Sequence, residues 1–169
     1  MQRILIDHVE ETYRANFLSM GSYLRFGSMI LTSTVVMYFL MYVNTYEADH
    51  IFFSQTRLFM TIIMGASMGI IMLVFMLGMY KNKKLNVGIF VLCGLLFFLA
   101  LWLVRSQETV QDVSYMKAMI PHHSIAILTS ERAEISDPRV RKLADEIIEA
   151  QRREINEMKS LIEDIEAAR

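Results

Sequence analysis

The sequence predicts an all-α protein: three transmembrane helices followed by a two-helix hairpin that completes a four-helix bundle by oligomerisation. Three observations carry this reading. The 169 residues are 54% hydrophobic with only two prolines, which fits a membrane protein of modest size and excludes disorder. Three uncharged apolar runs, residues 26–46, 58–80 and 87–104, approach or exceed the about 20 residues that a helix needs to cross a bilayer. The remaining C-terminal residues change character and carry nine Lys/Arg against thirteen Asp/Glu, where residues 1–105 carry eight against five. That acidic balance excludes nucleic acid as a partner.

Residues 1–22 read as a cytoplasmic or interfacial segment. Asp7, Glu10 and Glu11 stand where a signal peptide needs an apolar core, so a retained amphipathic stretch is expected. Residues 23–105 then form the membrane domain, with the bilayer as its first partner. Tyr42, Tyr46, Tyr80 and Trp102 lie near the span ends, where amphipathic rings prefer to sit. Arg3, Arg14 and Arg25 precede the first span and Lys81, Lys83 and Lys84 fill the second loop, whereas "EADHIFFSQTR" between spans one and two has the single Arg57. The positive-inside rule places the N-terminus and the lysine loop in the cytoplasm. Three spans deliver residues 106–169 to the other side, which for a bacterial inner membrane is the periplasm or exterior.

The second span carries Met60, Met64, Met68, Met72 and Met76 one helical turn apart, with Met79 beyond. A row of thioethers could pass Cu(I) along the helix, but methionine is first an adaptable packing residue, and packing is the preferred reading. Gly65 and Gly69 form a small-x-x-x-small pair that lets helices approach closely. No ionisable side chain in the spans offers machinery for proton-coupled transport. Cys93, the single cysteine, gives neither a disulfide nor a thiolate cluster. His8 and His50 are isolated and read as solvated or interfacial.

Residues 106–169 read as two helices. Thr109 with Asp112 offers a capping box, although the third span could also run on without a break. Asp137 is the expected N-cap of the second helix, with Pro138 at its first position. That helix has one apolar stripe, including Leu143, Ile147, Ile155, Leu161 and Ile162, at helical period. Two helices alone are too little to close a core, so a homo-oligomer, most economically a dimer, is expected.

The chemistry is concentrated in "SYMKAMIPHHSIAIL", residues 114–128. Met116, Met119 and His123 stand at i, i+3 and i+7 on one face, and His122 points about a quarter turn away. Gln151, Glu154 and Met158 repeat that spacing on the second helix. A hairpin folding about Ser136 is expected to bring Met116 to Met158, Met119 to Glu154 and His123 to Gln151. Pro121 removes an amide donor and crowds the carbonyl of Lys117, either kinking the helix, which would aim His122 toward Met119, or sitting harmlessly in an early turn. Neutral thioethers favour Cu(I) or Ag(I), and imidazole accepts copper in either oxidation state. Zinc is expected to use other donors, and the hairpin lacks the Glu-x-x-His pairs of a di-iron site.

The segment "YMKAMIPHHSIAI" followed by "LADEIIEAQRREINEMKSLI" resembles the bacterial family called domain of unknown function three-zero-five, over about the last third of the chain. The resemblance implies a ferritin-like helical hairpin associated with copper handling. It implies Met116, Met119, His122, His123 and Met158 as metal ligands, with Glu154 and Gln151 on the same facing surface. Family members usually place Gln after the two histidines and a methionine six residues beyond the second, where this chain has Ser124 and Thr129. The expected function is therefore a membrane-anchored, extracytoplasmic protein that binds Cu(I) or Ag(I) for capture, buffering or resistance, with other copper-handling proteins as partners. A metal-free oligomerisation module and a metal-translocating membrane protein are the alternatives. An enzyme is the least supported class, since no nucleophile with its base, phosphate loop or open zinc triad is visible.

Overall fold

A computed structural model of the chain describes residues 2–168, with side chains from residue 20 onward. His8, Arg3 and Arg14 therefore lie outside the described side chains. The fold is all-α: α1 (Gln2–Leu40), a 3-10 turn (Ala48–His50), α2 (Gln55–Phe75), α3 (Lys83–Ser106), α4 (Asp112–Arg132) and α5 (Pro138–Ala167). Three helices are long and apolar enough to cross a membrane: Met20–Leu40 within α1, then α2 and α3. The first span ends six residues earlier than expected and the second starts three earlier and stops five earlier, while the third is longer at both ends. The chain forms two compact units, Met1–Met37 with Met60–Trp102, and Tyr38–Phe59 with Leu103–Arg169.

In the first unit α2 is the helix approached by both others. A Cβ added at Gly65 would stand 2.5 Å from Thr34 Oγ1 of α1, and one at Gly69 3.0 Å from Cys93 Sγ of α3. The two glycines thus serve different neighbours, because in lipid close backbone approach replaces hydrophobic burial as the packing device. At the lysine-loop end, Phe26, Leu73 and Tyr80 are buried among Tyr23, Ile30, Met72 and Met76. Tyr23 Oη donates to Asn86 Oδ1 at 2.6 Å, and Asn86 Nδ2 donates to the Tyr80 carbonyl at 2.7 Å. A polar amide inside a membrane protein needs such partners, since no water replaces them. The methionine row does not continue as helix: α2 stops at Phe75, and Met72 and Met76 pack on the aromatic cluster, where polarizable sulfur suits ring edges.

In the second unit α3 ends at Ser106, and Gln107 follows with φ 54°. This left-handed residue breaks the rod, a role usually given to glycine. Gln107 Nε2 donates to the Val104 carbonyl at 2.7 Å, satisfying one of the acceptors that a helix end exposes. The expected capping box does not form, because α4 begins at Asp112 with Gln111 as its N-cap and no side-chain cap bond. Asp137 does cap α5, accepting from Arg139 N at 2.8 Å, with Pro138 next in line. Pro121 lies inside α4 and is buried, ten positions into the helix, so the early-turn placement is ruled out. Packing of α4 on α5 buries Val113, Met116, Ile120, Ile127, Ile155 and Ile162, and Tyr46 and Phe52 of the α1–α2 loop pack on the same core.

That loop is pinned by one hydroxyl. Ser124, fully buried in α4, accepts from Tyr46 N at 2.8 Å and lies 3.0 Å from His50 Nδ1. His50 is therefore buried rather than solvated, correcting the expectation for it. Burial, reinforced by Lys159, holds its imidazole below the ordinary range against the opposite pull of Asp49 and Glu47. Lys159 closes the contact from α5, 2.6 Å from Asp49 Oδ2.

Two outcomes follow. Gly65→Ala should lower the Tm of the detergent-solubilised chain, because Thr34 must move while it holds its bond to the Ile30 carbonyl, whereas Gly27→Ala, with open space around it, should not. Ser124→Gln should expel the loop, since a fully buried site has no room for three more heavy atoms. Hydrogen exchange at the Tyr46 amide then accelerates in that variant while α4 and α5 amides stay protected; unchanged protection of Tyr46 would refute the anchor.

Candidate metal centre

An open groove of about 480 Å³ runs between α4 and α5, lined by Asp112, Tyr115, Met116, His123, Glu154, Glu157, Met158, Leu161 and Ile165. Helical geometry explains its floor. Met116 and His123 are seven residues apart, so they stand within about 20° on α4. On α5 Glu154 and Met158 are four apart and neighbours on one face. The sulfur-bearing end lies against the core, with Met116 buried and Met158 half-buried beside it. The polar end is the pair His123 and Glu154.

His123 Nδ1 lies 3.1 Å from Glu154 Oε2, yet this nitrogen is buried without an aligned hydrogen bond. The distance is right and the direction is wrong, and direction decides whether a contact is a hydrogen bond. Burial pushes the imidazole below its ordinary pKa, with Glu154 opposing and His122 adding to the depression. A neutral ring therefore presents its nitrogen beside a carboxylate and two thioethers. This donor set fits a soft or borderline cation: two donors at about 2.0–2.1 Å from one ion, roughly at right angles, stand close to the separation seen between Nδ1 and Oε2.

The structure brings together four of the six expected ligands: Met116, His123, Glu154 and Met158. His122 is exposed and lies outside the groove, its ring centroid 6.1 Å from that of His123, so Pro121 does not turn it inward. Met119 is half-buried and does not line the groove; at 100° per residue it stands about 60° away from Met116. The helix register also differs from expectation, because His123 meets Glu154 instead of Gln151. The interhelical pairs Lys117–Glu166 and Glu131–Arg152 fix a register about one turn displaced from a hairpin folded about Ser136.

Sequence reading missed Asp112 and Glu157 as groove residues. Glu157 could have been found, since it follows Glu154 by three positions on the same face. It also overlooked that the α1–α2 loop supplies a Glu-x-x-His spacing, Glu47 with His50, whose ligand atoms cluster with those of Asp49 within 4.8 Å of one another. Of the two departures from the family pattern, Ser124 is the buried loop anchor. Thr129 is exposed, with its hydroxyl bonded back to the Ile125 carbonyl at 3.0 Å. It lies two turns from His122 on the same face, so the missing methionine is lost from the His122 side and leaves the groove intact.

A protein-family comparison matches residues 105–169 to the model described as Domain of unknown function (DUF305). An uncharacterised protein of Acanthamoeba polyphaga mimivirus is 38% identical over 71 residues, which is 41% of this chain and 47% of the viral one. The chain thus spans about half the length of that relative. No solved structure matches the chain. With its helical hairpin and its methionine and histidine face in the same stretch, the segment 105–169 makes this chain a member of the DUF305 family, carried behind three apolar helices.

Proposed function

We propose that the chain is a membrane-anchored, extracytoplasmic copper-binding protein that captures or buffers Cu(I), and Ag(I) likewise, and exchanges it with other copper-handling proteins. The observation that carries this reading is the buried His123 Nδ1, without an aligned hydrogen bond, beside Glu154 in a groove floored by Met116 and Met158. Bound there, Cu(I) would be held by the two thioethers and the imidazole, with Glu154 supplying charge. Two neutral sulfurs hold the reduced ion and discourage its oxidation. The half-exposed groove leaves one side open for entry and release. The lysine loop marks the cytoplasmic side by the positive-inside rule, which puts the hairpin outside, at the inner membrane of a bacterium.

A second reading concerns assembly. Tyr115 and Leu161, both lining the groove, are 53% and 44% exposed, as are Val140 and Leu143 at 49% and 56% on α5. A two-helix hairpin leaves such a stripe uncovered, and a second copy completing a four-helix bundle would cover it. The copper reading and the assembly reading are compatible, because the open side of the groove is part of that stripe.

Titration of the full chain in detergent with Ag(I), or with Cu(I) under reductant, should give a site that His123→Ala weakens by more than the roughly 10–100-fold that losing an outer-shell partner costs. Met116→Leu with Met158→Leu keeps the volume and should likewise weaken it, while His122→Ala should leave it nearly unchanged. Equal affinity in the His123 and double-methionine variants would refute the site. Its pH dependence follows from the ligand. Because the folded pKa of His123 lies below the ordinary value of about 6.5, affinity should stay level from pH 8 to about 6.5 and fall only below that, as the proton displaces the metal.

A further inference from the structure

We propose that Glu47, Asp49 and His50, on the loop between α1 and α2, form a second cation site for one divalent ion that prefers nitrogen and oxygen donors, with Zn(II) as the type case. This site lies outside the family segment and shares no ligand with the groove. One ligand atom from each of the three residues falls within 4.8 Å of the other two.

The histidine is what distinguishes the cluster from an ordinary acidic turn. Its side chain is only 7% exposed, and its Nδ1 is fixed against Ser124 Oγ at 3.0 Å. A serine oxygen has two lone pairs, so Ser124 can accept from Tyr46 N–H and His50 Nδ1–H together. In that tautomer Nε2 turns its lone pair toward the two carboxylates. It makes no hydrogen bond to either: Glu47 Oε2 is 3.9 Å away and Asp49 Oδ1 3.8 Å, beyond hydrogen-bond range. Both distances lie inside the about 4.2 Å that two donors can span across one ion with bonds near 2.1 Å. An imidazole oriented through its other nitrogen by a protein oxygen is the arrangement that metal-bound histidines adopt.

Charge and donor type choose the ion. Lys159 binds Asp49 through Oδ2, whereas Oδ1 faces His50, so one oxygen is held in position and the other stays available. Two carboxylates against one ammonium leave the cluster net negative. No sulfur is present, which favours a borderline divalent ion over Cu(I). Glu47 and Asp49 are 53% and 63% exposed, so water can complete the coordination. The chain would then separate its ions by donor chemistry, with sulfur in the groove and carboxylate oxygen on the loop, both next to the same turn of α4.

The test titrates Zn(II) alone into the full chain in detergent, in a His123→Ala background that removes the groove imidazole. One Zn(II) should bind. Glu47→Gln should weaken it at least tenfold, and Lys159→Met should tighten it by roughly threefold to tenfold, the effect of removing one nearby like charge. Co(II) in place of Zn(II) should give visible absorption that disappears in His50→Ala. His50→Ala can also loosen the loop, so the exposed Glu47 and Lys159 variants carry the decision. Zn(II) affinity unmoved by both would overturn the site. Ag(I) titration of Glu47→Gln in an otherwise unchanged chain reads the groove separately: loss of Zn(II) with Ag(I) retained supports two sites, and loss of both assigns the two ions to one site and refutes this proposal.

Discussion

The second unit depends on one buried oxygen. Ser124 is fully enclosed in α4 and meets both Tyr46 N and His50 Nδ1. A hydroxyl buried without partners would cost roughly 1–3 kcal/mol, as would the Tyr46 amide, so each group needs the other. The pairing brings Tyr46 and Phe52 onto the hairpin core, which gives two helices the third surface that they lack. It also fixes where His50, Glu47 and Asp49 stand. Once the loop is in place, Lys159 reaches Asp49 and Arg152 lies 5.7 Å from the Tyr46 ring centroid. These contacts are exposed and contribute little individually; the enclosed hydroxyl organises them.

The groove follows a different logic. Its position comes from the 3.6-residue period, which stacks Met116 under His123 and Glu154 near Met158, and its chemistry comes from incomplete satisfaction. Most buried nitrogens in proteins find a partner, and a side chain that forgoes one has a reason to. Here the reason offered is a cation between imidazole and carboxylate. The membrane methionines have no comparable deficit. Met72 and Met76 rest on a ring cluster, so sulfur in that unit fills space.

Some of this was legible in the sequence and some was not, for identifiable causes. Apolar runs and the Asp137–Pro138 start signal act locally, so three spans and the start of α5 could be read directly. Faces of helices also follow from local spacing, which is why Met116, His123, Glu154 and Met158 were assigned together. Register is different. It is set by pairs 49 and 21 residues apart, Lys117 with Glu166 and Glu131 with Arg152, and periodicity alone is indifferent to a shift of one turn. His122 and Met119 were misjudged because a proline inside a helix does not by itself announce which way the next side chain faces. His50 was misjudged because a loop has no period, and its partner is 74 residues away.

The left-handed residue at Gln107 has a wider meaning. The family match begins at residue 105, within two positions of the place where the rod is interrupted. A continuous helix would impose its own rotation on whatever followed it, so a hairpin grafted onto it would inherit its facing from the length of the span. An interruption removes that inheritance. The hairpin can be attached to different anchors, or to none, without its own packing being renegotiated, and adaptation to a particular anchor then falls to single positions such as Ser124.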